Sequence, residues 1–231
     1  MVFLFHPLRL SIALSFASIA LANTEIINFE ASGQIDVHVS GADKWHVLSS
    51  GANEKPFNIL PAPLETHMNS VCSSPQDLLS EVPNCPHEIW IKLDLNHEDW
   101  KSYKKFTLRI SWPGSSPADF SISILNPQAT ASRFAGTPIT PPAHTRVKFA
   151  RIRIVDTGVI SPLSGITKVS SIPFVVTLEP LYFGVIPASV VPLLWVLLPI
   201  LSVSALLVPY ANVFLQDVAA AARREMNKKK E

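Results

Sequence analysis

Glycine is scarce in this chain, and charge of either sign is sparse. Eight glycines stand against twenty prolines among 231 residues, 16% of the residues are charged, and 48% are hydrophobic. This composition argues against a disordered chain or a helical bundle and favours an extended, turn-rich fold. Five of the nineteen Lys and Arg residues lie in the last nine positions, so nucleic acid is not an expected partner. The length accommodates one ordinary domain plus targeting and anchoring segments.

The sequence also lacks the motifs of the common enzyme classes. His87-Glu88 and His97-Glu98 have no second histidine at the spacing of a zinc metalloprotease helix. There is no Gly-x-Ser-x-Gly elbow, no Gly-rich nucleotide loop and no Asp-x-Asp pair. We therefore expect no cofactor, no metal site and no catalytic residues, and we predict that the protein is not itself an enzyme.

The N-terminus has the pattern of a secretory signal peptide. Arg9 supplies a positive charge, Leu10 to Leu21 form an apolar run, and Ala20-Leu21-Ala22 provide small residues before a cleavage site. A retained anchor is the alternative, but it needs about 20 apolar residues to cross a bilayer, and the run is shorter than that. We predict residues 1–22 to be a signal peptide, with the mature chain beginning at Asn23.

A long uncharged run near the C-terminus predicts a single membrane span. No charged residue occurs from Leu181 to Gln216, and the most apolar part, Ala188 to Val208, would cover about 30 Å as a helix. We predict a transmembrane helix at residues 185–210 and a basic cytosolic tail at 211–231. The positive-inside rule then places the N-terminal side in the lumen, as in a type I protein.

Other features of this region refine the interpretation. Tyr182, Phe183 and Tyr210 fall at the expected membrane interfaces. Lys228 and Lys229, at the fourth and third positions from the C-terminus, match a dilysine retrieval signal and predict an endoplasmic reticulum (ER) membrane protein, with a plain basic flank as the alternative. Repeated prolines, each of which removes a helical backbone donor, suggest packing against a larger membrane partner, with a lone kinked anchor as the alternative; they are Pro187, Pro192, Pro199 and Pro209.

Residues 23–184 carry the alternating pattern of half-buried β-strands. Short helical turns are predicted only at Pro75–Leu79 and Glu98–Lys105. The alternating runs are Ile35–Val39, Ile89–Leu95, Phe106–Trp112, Phe120–Ile124, Val147–Val155 and Phe174–Leu178. Short strands at this spacing predict a mainly β fold, a lumenal β-sandwich followed by the single C-terminal helix.

Cysteine occurs only twice, at Cys72 and Cys85, thirteen positions apart in the predicted lumenal segment. That compartment permits oxidation, so we predict a disulfide, with two free buried cysteines as the alternative. Closing a loop of about 15 residues stabilises a fold by roughly 3 kcal/mol.

Four basic residues lie along one predicted strand: Arg146, Lys148, Arg151 and Arg153. Their spacing predicts a bulge at Phe149-Ala150, which would bring them to one face. A solvated sheet face or a protected edge is the usual meaning of such a row, and phosphate-bearing lipid or an acidic partner is the alternative.

Several short motifs together resemble a known family. They are Asn23-Thr24-Glu25 at the predicted mature start, Ser111-Trp112-Pro113, Pro117-Ala118-Asp119-Phe120 and the proline-rich anchor. The chain resembles the fungal family of small type I subunits that accompany the second mannosyltransferase of glycosylphosphatidylinositol (GPI) anchor synthesis. The accessory subunit of the first mannosyltransferase shares the topology but typically carries a Pro-Val-His-x-Arg-Tyr segment, which this sequence lacks, and it ranks second.

The resemblance implies a non-catalytic subunit that stabilises or activates a multi-spanning ER mannosyltransferase, with that enzyme and membrane lipid as its partners. In the family, glycosyl transfer belongs to the multi-spanning subunit. A cargo receptor of the ER and Golgi, a lumenal chaperone and a translocon-associated subunit are the alternatives. Together with the proline pattern, the resemblance suggests seven candidate partner contacts: Trp112, Pro113, Asp119, Phe120, Pro192, Trp195 and Pro199.

Overall fold

A computed structural model describes residues 22–73, 85–134, 136–159 and 170–228. All but the last residue of the predicted signal peptide, the predicted turn at Pro75–Leu79, and Lys229 lie outside these ranges. The chain divides into two compact units, Met1–Gly184 and Val185–Glu231.

In its described residues the first unit consists mainly of β-strands with one short α-helix. In chain order its elements are β1 (Ala22–Glu30), β2 (Gln34–Ile35), β3 (Val37–His38), β4 (His46–Leu48), β5 (Glu54–Ile59), β6 (Glu88–Leu93), β7 (Lys105–Pro113), β8 (Ala118–Leu125), α1 (Pro127–Ala131), β9 (Thr137–Pro138), β10 (His144–Thr145), β11 (Lys148–Asp156) and β12 (Ile172–Tyr182). Single 3₁₀ turns occupy Ala42–Lys44, Met68–Ser70 and Glu98–Trp100. The predicted run Ile35–Val39 is therefore split between β2 and β3, and the predicted helical turn at Glu98–Lys105 shrinks to its first three residues.

Two sheets pack face to face in this unit. In the first sheet β1 pairs with β7, β7 with β12, and β12 with β5, all antiparallel. In the second sheet β4 pairs with β6 in parallel, and β11 pairs antiparallel with both β6 and β8. Fully buried side chains from both sheets meet between them, among them Leu93, Leu108, Ile110, Ile152 and Val176. The predicted mainly β fold with a single long C-terminal helix is confirmed.

Strand β11 follows the period-two pattern without interruption. Its pairing with β6 runs in register from Lys148 to Arg153, and its pairing with β8 runs in register to Asp156. The predicted bulge at Phe149-Ala150 is therefore wrong. Arg146 precedes the strand, and alternation puts Lys148 on the face opposite Arg151 and Arg153.

The outer face of the second sheet is covered by a further layer of chain. Trp90 on β6 and Phe149 on β11 pack against Trp45 and Phe134, with ring centroids of Trp45 lying 5.3 Å from Trp90 and 5.0 Å from Phe134. A third, smaller cluster joins Ala62, Val71, Cys72 and Val155. The two clusters leave a polar strip between them, and the charged residues described below occupy it.

The second unit contains β13 (Ile186–Pro187), a 3₁₀ turn at Ala188–Val190 and the helix α2 (Val191–Lys228) of 38 residues. Among the described residues this is the one helix long and apolar enough to cross a membrane. It continues through the predicted tail, because residues 211–228 remain helical.

Only two of the four prolines of this region lie in the interior of the helix. Pro199 and Pro209 lie inside α2, whereas Pro187 belongs to β13. Pro192 is the second residue of α2, where a helix needs no backbone donor. The loss of a helical backbone donor therefore applies to Pro199 and Pro209 and not to Pro187 or Pro192.

Candidate partner surfaces and a buried charge cluster

Glu88 is the centre of a buried charge cluster on the outer face of the second sheet. Its side chain is 2% exposed, and its carboxylate lies 2.6 Å from Arg151 Nη2 and 3.4 Å from Arg133 Nη2. Arg151 Nε also donates to Glu88 at 2.7 Å, and the Trp90 indole N–H donates at 2.9 Å. One carboxylate is thus shared by two guanidinium groups and an indole.

Sheet register brings these side chains together. Glu88 lies opposite Arg153, and Trp90 lies opposite Arg151, so the four share one face of β6 and β11. Arg133 reaches the same place from the chain that follows α1. Its guanidinium carbon lies 5.6 Å from the Trp90 ring centroid, and that of Arg151 lies 5.8 Å away, both within cation–π range.

The three arginines also hold the segment that contains Cys72. Arg133 Nη2 donates to the Cys72 carbonyl at 2.7 Å, Arg151 Nη2 to the same carbonyl at 3.2 Å, and Arg153 Nη1 to the Met68 carbonyl at 2.7 Å. The predicted disulfide between Cys72 and Cys85 is confirmed, and it ties the same segment to the start of β6.

These contacts contradict the prediction that the basic row on β11 lies on a solvated sheet face. Arg153 is 9% exposed and the Arg151 side chain 14% exposed, so both lie under covering chain. The pKa of Arg153 is lowered by burial and by the neighbouring Arg151 and Arg133, while Glu88 opposes the shift. The sequence could not indicate the cover, because the residues that supply it carry no periodic pattern.

The other two basic residues of the row serve different contacts. Arg146 donates to four backbone carbonyls, those of Ala31, Trp100, Lys101 and Tyr103. Arg146 therefore links the end of β1 to the 3₁₀ turn at Glu98–Trp100. Lys148 is 4% exposed, its ammonium lies 3.3 Å from the Ser32 hydroxyl, and burial lowers its pKa.

An open groove of about 680 Å³ lies where β5, β7 and β12 meet. Of the candidate contacts, Trp112 and Pro113 line it, and Pro113 is exposed. Trp112 is 7% exposed and stacks on Phe120 at 4.4 Å between ring centroids, so both rings belong mainly to the core. A partner at this groove would therefore touch its rim more than these two aromatic rings.

The remaining candidates lie elsewhere. Asp119 is exposed and lines a different depression, of about 410 Å³, beside Asp156. Pro192, Trp195 and Pro199 lie on α2, are exposed, and fall within one helix face by their spacing of three and four residues. The seven candidates thus form three separate groups.

The described residues contain no group of three or more His, Cys, Asp or Glu that could hold a metal ion. Comparison with protein-family models, with curated proteins and with solved structures found no match for this chain.

Proposed function

We propose that this protein is a non-catalytic subunit of the ER membrane that stabilises or activates a multi-spanning mannosyltransferase of GPI anchor synthesis, most specifically the enzyme that adds the second mannose. The resemblance in the sequence supplies the identity of the enzyme. The observation that carries the role is the apolar surface of α2, along which large side chains such as Trp195, Leu206 and Phe214 are at least 60% exposed.

The two prolines inside α2 favour packing of this surface against other helices. Pro199 and Pro209 have no N–H, so the carbonyls of Trp195 and Ala205, four residues earlier, lose their usual helical donors. Neighbouring membrane helices can satisfy such groups. Ser202 and Ser204 donate instead within α2, to the carbonyls of Leu198 and Ile200, both at 2.8 Å.

The charge distribution supports the proposed orientation. Uncharged residues extend from the start of α2 to Gln216, and Arg223, Arg224 and Lys228 follow on the same helix. Basic residues beyond a span favour the cytosolic side, which would put the sandwich unit in the lumen. Type I insertion and a lumenal sandwich are thus part of the proposal.

Depletion in the source cell, followed by lipid labelling with a mannose tracer, tests the proposed step. We expect a mannose-poor GPI precursor to accumulate and GPI-anchored surface proteins to be lost. A general secretion defect without such a precursor would instead favour a chaperone, cargo-receptor or translocon-associated role.

A matched pair of α2 variants tests whether the helix carries the contact. Trp195 shares a helix face with Pro199, whereas Leu201 lies on the opposite side, and both side chains are exposed, 75% and 61% respectively. We expect Trp195→Ala to reduce co-purification of the mannosyltransferase about tenfold, as truncation of an interface tryptophan often does, and Leu201→Ala to leave it unchanged. Purification of the native chain without any multi-spanning glycosyltransferase would contradict the proposal.

A further inference from the structure

The turn that ends β12 holds an aromatic ring away from the protein at a conformational cost. Phe183 has φ = 53° and Gly184 has φ = 74°, and the Gly184 N–H closes the turn on the Leu181 carbonyl at 3.2 Å. Glycine adopts this left-handed region freely, but a bulky residue does so only at a conformational cost. The Phe183 side chain recovers little of this cost in the sandwich unit, because the residue is 95% exposed.

Strand β7 begins beside this turn, and the residues around its start add aromatic and basic side chains to the same region. The Tyr103 and Tyr182 rings meet edge to face with centroids 5.2 Å apart. The Tyr103 hydroxyl forms a side-chain hydrogen bond with Tyr182, and this bond, together with burial, raises the pKa of Tyr103. The alkyl chain of Lys105 lies over Gly184, with its Cδ 3.3 Å from where a Cβ at residue 184 would be.

The nearby charges leave two lysines available to an outside ligand. Lys104 and Lys105 are exposed, and neither takes part in an ion pair found among the described residues. Glu98 pairs with Lys101 instead. Glu30 is the carboxylate closest in register, directly across from Lys105 on β1.

We propose that these residues form a lipid-docking rim, composed of Tyr103, Lys104, Lys105, Tyr182 and Phe183, through which the β-sandwich itself rests on a phospholipid surface. The aromatic rings suit the interfacial layer, and the lysines suit headgroup phosphates. The bilayer is the occupant because only six residues lie between Gly184 and the start of α2 at Val191. The rim extends the interfacial aromatics expected from the sequence to a strand far from α2 in the chain.

This proposal rests on membrane insertion of α2 and is independent of the mannosyltransferase. It is tested with the full chain alone in lipid nanodiscs, where no partner enzyme is present. Failure of the docking therefore leaves the proposed enzyme partner untouched, and the reverse also holds.

Two serines provide a matched pair of reporter sites. Ser102 lies beside the rim and Ser115 lies in the turn beyond the other end of β7, and both are exposed. Nine strand residues separate the two ends by about 30 Å. Ser102→Cys and Ser115→Cys would each carry an environment-sensitive fluorophore, and the nanodiscs would contain a lipid with a quencher at the top of its acyl chain.

We expect quenching at residue 102 to exceed quenching at residue 115 by at least about twofold, since contact quenching falls steeply over that separation. Adding Phe183→Ser should abolish most of the difference. Adding Lys104→Glu together with Lys105→Glu should also reduce the difference in quenching, and the reduction should be larger in nanodiscs that contain anionic lipid than in neutral nanodiscs. Because these three side chains are exposed, the variants should have the same unfolding temperature as the native chain. This temperature can be measured on the same samples.

Equal quenching at the two reporter sites would overturn the proposal. It would also be overturned if Phe183→Ser left the difference intact in a folded chain. A difference that survives Phe183→Ser would mean that tethering by α2, and not the rim, brings residue 102 close to the lipid.

Discussion

Replacement of Glu88 by glutamine tests the buried charge cluster most directly. Glu88→Gln keeps the size of the side chain but removes the carboxylate that contacts both Arg133 and Arg151. Breaking a buried ion pair by removing one partner costs about 3–5 kcal/mol. The arginine side chains are 17% and 14% exposed, so some solvent screening remains and the lower end, about 3 kcal/mol, applies.

For a domain of this size, each kcal/mol lowers the midpoint of thermal unfolding by about 2–4 °C, so we expect a fall of about 6–12 °C. The assay is thermal unfolding of the whole chain in detergent, followed by tryptophan fluorescence, to which Trp90 contributes from within the cluster. Glu98→Gln is the matched control. Its carboxylate is 80% exposed and pairs with Lys101, so the change should stay below about 1 kcal/mol.

A double variant shows whether the loss is electrostatic. Glu88→Gln combined with Arg151→Gln should cost less than the sum of the two single changes, because the two side chains contact each other and either single change already removes that interaction. Equal unfolding temperatures for Glu88→Gln and Glu98→Gln, or strict additivity in the double variant, would refute the reasoning.

Three further outcomes follow from the same structure. Arg146→Lys should lower stability by about 1–3 kcal/mol in the same unfolding assay, because one ammonium cannot serve four carbonyls, whereas Arg224→Lys on α2 should have no effect. Replacing both Cys72 and Cys85 by serine should lower the free energy of unfolding by about 3 kcal/mol. Reducing the disulfide of the native chain should lower the midpoint of thermal unfolding to a similar extent as the double replacement, and an unchanged midpoint after reduction would contradict this. The pKa of His46 is lowered below 6.5 by burial and by Lys55, so the folded state binds fewer protons than the unfolded state, and stability should fall as pH drops through 6.5 towards the folded value. His46→Gln should flatten this dependence between about pH 7.5 and about pH 5.5, as unfolding temperatures will report.

The strands that bury a face could be predicted from the sequence. In β7 the alternate residues Phe106, Leu108 and Ile110 are all fully buried, which is the pattern that a half-buried strand requires. The same logic identified the main parts of β6, β8, β11 and β12. The uncharged run of α2 was similarly visible, since exclusion of charge over so many residues has few other structural causes.

Two of the longer strands that escaped prediction lie at the edges of the first sheet. Among the described residues β1 pairs with β7 alone, and its adjacent Ile26 and Ile27 break the alternation, with Ile26 56% exposed. In the same described part of the chain β5 pairs with β12 alone and contains Pro56, which sheet interiors disfavour and edges tolerate. Edge strands need less regular patterns because they contact the core over a smaller area.

The charge cluster could not be read from spacing in the sequence. Glu88 bonds Arg133 and Arg151 across sequence separations of 45 and 63 residues. Alternation alone correctly puts Arg151 and Arg153 on one face of β11, but it does not reveal whether that face is solvated or covered. The answer depends on chain from distant loops, which packs there without any periodic signal.

The cover over this face has a consequence for the proposed location. Among the described residues it is held by the Cys72–Cys85 disulfide, by arginine bonds to the Cys72 and Met68 carbonyls, and by a small apolar cluster. In a reducing compartment the disulfide would open, and the covering segment would lose its covalent link to the start of β6. A looser cover would admit water to Glu88 and its arginines, which weakens their mutual attraction. An oxidising lumen would therefore stabilise the sandwich best, in agreement with the proposed orientation, which the basic residues on α2 favour independently.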